Sequence, residues 1–235
     1  MTENATADTA SDTASSMTTD DLSSGGFIPG YSDPYRFQTQ GAKWWRTPCL
    51  VNDDMLVSGD LHHSPEKASV QLKEWQEAGV THIIDCRSEW SDLRLVNELA
   101  PSITYYEHGT HDAGGDQDDR WYADGWQYYQ DAMSYGDDQR VMIHCHMGIN
   151  RAPSMAFYIL LELGRTPTQA LTEIRTARPI AACFYAISAW HTYSRAHGLR
   201  ASARAEGLQE IEDYYKANKI HLSRVIHEVR RVEHD

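Results

Sequence analysis

The sequence predicts an α/β domain: a central, mostly parallel, twisted sheet flanked by helices on both faces. Three observations carry this. Short apolar runs such as Val80–Cys86 and Val141–Ile143 alternate with stretches of helical spacing. Helix-start signals, Ser64-Pro65-Glu66 and Thr166-Pro167, recur between them. The chain has 235 residues and 41% hydrophobic content, enough for one well-buried domain with an appendage but not for two full domains.

Taken in order, residues 1–26 are Thr, Ser, Ala, Asp and Asn with almost nothing apolar, and read as a disordered acidic tail. Phe27 to Thr47, with Tyr31, Tyr35, Phe37, Trp44 and Trp45, reads as an irregular wrap over the domain, which is expected to span 27–197. Cys49–Val51 and Met55–Ser58 flank the turn Asn52-Asp53-Asp54 and predict a hairpin. A helix follows from Ser64 to Gly79, then the strand Val80–Cys86, a helix over Trp90–Leu99 and a strand over Ile103–Glu107. A Gly- and Asp-rich loop, Gly109–Asp119, leads to an aromatic helix over Trp121–Met133. The strand from Val141 ends at Cys145, and helices are predicted over Ala152–Leu163, Thr168–Ala177 and Ala186–Ala196. Residues 198–235 carry an apolar pattern from Ile211 to Val229 that predicts a C-terminal helix or helix pair docked on the domain or on another chain.

Net charge is −13, which disfavours binding to nucleic acid or an anionic membrane by bulk field. Four widely spaced cysteines, without a CxxC pair, suggest neither a zinc site nor a disulfide framework and fit a reducing compartment. There is no apolar run of transmembrane length and no basic, apolar start, so a cytoplasmic location is expected. His144 and His146 alternate on a strand end and face opposite ways, so no metal is expected; no cofactor is implied.

The chemistry concentrates in Val141-Met-Ile-His-Cys-His-Met-Gly-Ile-Asn-Arg151. An apolar strand runs into Cys145, five residues precede Arg151, and an apolar helix starts at once. A loop between a strand end and a helix start aims successive amides into one concavity, and the helix dipole adds positive potential. Gly148 allows the tight turn. Arg151 offers a planar fork for two phosphate oxygens, and residues His146, Met147, Gly148, Ile149, Asn150 and Arg151 form the predicted phosphate cradle. The same groups are expected to lower the Cys145 thiol from about 8.5 into the range of roughly 3.5–7.5, making it a nucleophile. His144 is expected to hold the loop by hydrogen bonds. Asp85 and Arg87 read as a structural pair. Cys86 reads as a buried spectator or, ending a neighbouring strand, as a trap for an oxidised Cys145.

His144-Cys145-x5-Arg151 resembles the signature of the protein tyrosine phosphatase superfamily. Gly59-Asp60-Leu61, Ile83-Ile84-Asp85-Cys86-Arg87-Ser88-Glu89 and Ile174-Arg175-x2-Arg178-Pro179 are similar to segments of its dual-specificity branch, in the right order. The resemblance covers roughly Met55 to Ala189 and implies a single phosphatase-type domain. It implies attack by Cys145, a phosphocysteine intermediate and its hydrolysis, with an aspartate of the upstream loop as general acid. Asp112, 33 residues before Cys145, has the separation typical of the branch; Asp116, Asp118 and Asp119 are the alternatives. The family has Ser or Thr directly after the arginine to assist departure of the cysteine. Here that position is Ala152, so the intermediate is expected to accumulate.

The function implied is hydrolysis of phosphotyrosine, with phosphoserine and phosphothreonine, on phosphorylated proteins, from a shallow site. Gly148-Ile149-Asn150-Arg151 is also similar to the loop of RNA triphosphatases, but basic clusters for RNA are lacking. A phosphoinositide phosphatase would be expected to carry lysines in the loop. A phosphate-binding module with impaired turnover is the reading that Ala152 invites. Oligomeric state is not encoded in any of these features.

Overall fold

The computed structural model describes residues 44–233. The predicted tail (1–26) and most of the aromatic wrap therefore lie outside the described residues. After a short 3-10 turn at Trp44–Arg46, a five-stranded sheet forms in the order β1-β2-β5-β3-β4. The strands are β1 (Cys49–Asn52), β2 (Met55–Ser58), β3 (His82–Arg87), β4 (Thr104–Thr110) and β5 (Val141–His144). β1 and β2 pair antiparallel, as the Asn52-Asp53-Asp54 turn predicts; β2, β5, β3 and β4 run parallel.

Helices cover both faces. On one face α1 (Pro65–Glu77) and α2 (Leu93–Leu99) bury Leu72, Trp75 and Val96 against Leu56, Ile83 and Met142. On the other, α3 (Asp119–Met133), α4 (Arg151–Glu162), α5 (Pro167–Ala177) and α6 (Ala186–Ala196) pack on Val57, Ile84, Val141 and Ile143. The alternation of Ile83 with Ile84 and of Met142 with Ile143 is the period-two pattern of strands sandwiched between two helical layers. Ser64 accepts a hydrogen bond from the Lys67 amide, and Thr166 with Gln169 makes a full capping box, so the cap signals are used as the sequence predicts.

Several boundaries differ. α2 begins at Leu93, not Trp90, because Trp90 packs its ring on His146 and His63 instead. β4 extends through Thr110, since Arg87 continues its pairing with β3, so the acidic loop begins later than Gly109. The C-terminal pattern resolves into two helices, α7 (Ala201–Ala217) and α8 (Leu222–Val232). α7 buries Ile211 and Tyr214 in the main core, and α8 buries Val225 and Val229 in a separate cluster with Trp45, Ile149 and Ile180. No described helix is long and apolar enough to cross a membrane.

Candidate active site

Parallel strands bring their carboxyl ends to one edge of the sheet. There β5 delivers Cys145, β3 delivers Glu89 just past Arg87, and β4 delivers Asp112 just past Thr110. All three line one cavity of about 490 Å³ with Arg151.

The loop after β5 is shaped from behind. Arg178 is fully buried and donates from Nε to the Gly148 carbonyl (2.6 Å) and from Nη2 to those of Met147 (3.0 Å) and Trp45 (2.5 Å). Carbonyls held outward turn the intervening amides inward, and the backbone N–H groups of Gly148 and Ala152 donate to the Cys145 sulfur. Gly148 has φ +62, and a side chain there would bring its Cβ within 2.5 Å of the Ser58 carbonyl oxygen, so both the turn and the close approach require glycine. The Asp60 amide adds a bond to the His146 carbonyl at 2.9 Å.

Asn150 ties three segments together. Its Nδ2 donates to Asp112 Oδ1 at 2.7 Å, and its Oδ1 accepts from the Phe184 amide at 2.8 Å. Asp112 Oδ1 also accepts from the Tyr185 hydroxyl at 2.7 Å. Asp112 alone of the four candidate acids lines the cavity with Cys145. Asp118 caps α3 through the Arg120 amide, and Asp119 is engaged by Thr192 and Arg195 on α6. Asp116 is exposed and outside the cavity lining.

Arg151 is 2% exposed. Its Nη1 and Nη2 form a bidentate pair with Glu89 at 2.6 and 2.9 Å, and Nη1 also donates to the Thr110 carbonyl at 3.0 Å. The fork expected for phosphate is thus shared with a carboxylate. Arg151 Nε is buried without a hydrogen-bond partner among the described residues, 3.6 Å from Asp112 Oδ2. Burial works against the Arg151 charge, but Glu89, Cys145 and Asp112 outweigh it and hold the guanidinium firmly protonated.

Two expectations are corrected. Burial pushes the Cys145 thiol above its ordinary value, and Arg151 with the Ala152 and Gly148 amides only partly pulls it back. The physical reason is that Cys145 is buried, which disfavours the thiolate more than Arg151 and the two amides favour it, and the Asp112 charge adds to the rise. Among the described residues His144 makes no hydrogen bond with either ring nitrogen; it is enclosed by Trp75 and Tyr105, and burial lowers it to about 4, so the ring is neutral. The Asp85–Arg87 pair is present, at 2.7 and 2.8 Å. Cys86 is fully buried, its thiol pushed well up by burial and by the nearby Cys145 and Asp85 charges; all four cysteines are free.

Solved structures share this architecture. PTPMT1 in complex with PI(5)P superposes with a TM-score of 0.52 at 16% identity, over 67% of this chain and 98% of that one. Human DUSP28 gives 0.50 at 15% identity, over 69% and 95%. A leucine-rich-repeat and phosphatase-domain protein from Entamoeba histolytica gives 0.50 at 8%, over 67% and 97%. This chain has a dual-specificity phosphatase-like fold. No protein-family model and no curated relative matches it in sequence.

The phosphatase fold does not account for every wall of the cavity. Leu222, Ile226 and Arg230 of α8 line it, and α8 lies beyond the Met55–Ala189 stretch that carries the sequence resemblance. His146, wedged between Trp45 and Trp90, bonds Glu233 at 2.5 Å and ties the end of α8 to the loop. The site is therefore walled, not shallow. Sequence reasoning missed the roles of Glu89, Asn150, Tyr185, Phe184 and α8. Glu89 had a signal as the last residue of a segment similar to the family, Asn150 as a member of the predicted cradle, and α8 as the C-terminal apolar pattern; Phe184 and Tyr185 had none.

Proposed function

We propose that the chain is a cysteine-dependent phosphatase that hydrolyses phosphotyrosine on proteins in the cytosol, with phosphoserine and phosphothreonine as poorer substrates. The observation that supports it best is the cradle itself: two amides aimed at Cys145 beside a buried, unpartnered Arg151 Nε. A phosphate oxygen at that Nε completes its hydrogen bonding and adds the negative charge the amide ring and helix start favour.

In this reading the Cys145 thiol passes its proton to the Asp112 carboxylate across the cavity, and the thiolate attacks phosphorus in line, forming the S–P bond as the ester O–P bond breaks. Asp112, held by Asn150 and Tyr185, gives its proton to the leaving oxygen. It then takes a proton from water, which attacks phosphorus and releases inorganic phosphate and Cys145. Arg151, fixed by Glu89, stabilises the charge on the equatorial oxygens. No side-chain hydroxyl stands at Ala152, and Ser154, the next one, faces Asn150 and the Tyr185 amide. The second step is therefore the slow one, and rapid-quench kinetics should show a burst that Ala152→Ser removes.

A phosphotyrosine ring is long enough to carry phosphate past a raised wall, whereas phosphoserine is not. The walls from α8 and Phe184 therefore favour the aryl substrate. The deciding experiment is hydrolysis of p-nitrophenyl phosphate. We expect turnover by the wild type, none by Cys145→Ser, and a loss of about 10²–10⁴-fold in kcat for Asp112→Asn. Turnover retained by Cys145→Ser would refute the reading. A panel of phosphopeptides, phosphoinositides and 5′-triphosphorylated RNA then ranks substrate classes.

A further inference from the structure

α8 carries two stripes. Val225 and Val229 face inward, against Ile149 and Ile180. Leu222, Ile226 and Arg230, four residues apart, share a neighbouring face and line the active-site cavity. Steps of four residues advance about 6 Å each along a helix. The helix direction fixes their order. Glu233 reaches His146, so Arg230 lies one turn back from the catalytic loop, and Leu222 lies at the far end with Phe184. Phe184 is 55% exposed, unusual for a large apolar side chain at the rim of a charged cavity.

The charges of the lining are unequally matched. Glu89 and Asp112 both face Arg151, and Asp112 is further engaged by Asn150 and Tyr185. The neighbouring Arg231 is paired with Glu228. Arg230 is exposed and has no ion pair or hydrogen bond among the described residues. Among the described residues it is an uncompensated cation of the cavity wall.

We infer that α8 reads the sequence around the phosphoresidue: it selects a phosphotyrosine flanked by an acidic side chain. The ring lies against Phe184 and Ile226, and the flanking carboxylate pairs with Arg230. This rests on the phosphatase reading above. The net charge of −13 opposes approach to an anionic bilayer, which favours a peptide over a lipid substrate.

The test uses the full chain and two phosphotyrosine peptides that differ only in flanking Asp against Asn. For the wild type, kcat/KM should favour the acidic peptide by about tenfold, a preference that shrinks as salt is added. Arg230→Gln should bring the ratio to about one, Arg230→Glu should invert it, and Arg230→Lys should keep most of it. Equal rates on both peptides in the wild type, or a ratio unmoved by Arg230→Glu, would overturn the inference while leaving the phosphatase reading intact. Faster hydrolysis of phosphoinositide in vesicles than of either peptide would overturn the peptide assignment. Absence of wild-type turnover on p-nitrophenyl phosphate would instead sink the reading beneath it.

Discussion

The floor and the roof of the active-site cavity are built on opposite principles. The floor, Cys145 to Arg151, is contiguous in sequence and held by polar bonds, chiefly the buried Arg178 fork on the Met147 and Gly148 carbonyls. The roof, α8, comes from some seventy residues later and is held chiefly by apolar contact through Val225 and Val229, with polar ties at its end from Glu233 to His146 and Arg46. Buried polar scaffolds fail steeply when one partner is removed, because the others are left unsatisfied. Apolar seams fail by degrees.

The largest effect should therefore come from the floor. Arg178→Met keeps volume but strands the carbonyls of Trp45, Met147 and Gly148 in the interior. We expect a loss of about 4 kcal/mol in unfolding free energy, with activity abolished because the amides are no longer aimed at Cys145. Urea denaturation and p-nitrophenyl phosphate hydrolysis measure both. A loss below about 1 kcal/mol would mean that water substitutes for the guanidinium and that the loop holds its own shape.

In the roof, Val229→Ala removes two buried methyl groups at a position with no exposure and should cost about 2 kcal/mol. The loss should be local: limited proteolysis should cut between α7 and α8 while the midpoint of the main transition moves little. A matched drop in both would show that α8 folds as one unit with the sheet.

This contrast also explains how much could be read from the chain. The sheet, its hairpin and the six helices from Pro65 to Ala196 follow from period-two and helical patterning plus caps, all local signals. The floor was legible because a single segment carries strand end, Cys145, Gly148 and Arg151. The candidate acid was half legible: four aspartates share one loop, the 33-residue separation from Cys145 favours Asp112, and the bonds from Asn150 and Tyr185 that hold Asp112 in the cavity are tertiary. The thiol expectation fails because the burial of Cys145, which comes from elements packed around the loop, outweighs Arg151 and the amides of its own segment. The α8 stripe showed itself only as an amphipathic pattern, and nothing local says which surface it covers.

The floor also sets a pH limit. Burial lowers His144 to about 4, against about 6.5 in the unfolded chain. The neutral ring contributes its full stability above about pH 6.5, and the contribution is lost as pH falls toward 4, because the unfolded chain binds the proton first. Between pH 7 and pH 5 the wild type should lose roughly 2 kcal/mol from this group. His144→Asn should be less stable at pH 7 but flatter over that interval. An equal slope in both would assign the acid sensitivity elsewhere.

The smallest effect should come from the His146–Glu233 tie of the roof. Burial holds His146 below its ordinary value even with Glu233 pulling it up, so at neutral pH the bond joins a neutral ring to a carboxylate. Its side chains keep 25% and 13% exposure, and water competes for both. Glu233→Gln retains an oxygen that can accept from His146 and should cost at most about 1 kcal/mol in urea denaturation. It should leave α8 as resistant to proteolysis as in the wild type, in contrast to Val229→Ala. If Glu233→Gln instead released the helix, the roof would hang on its polar end, and the contrast between a polar floor and an apolar roof would fail.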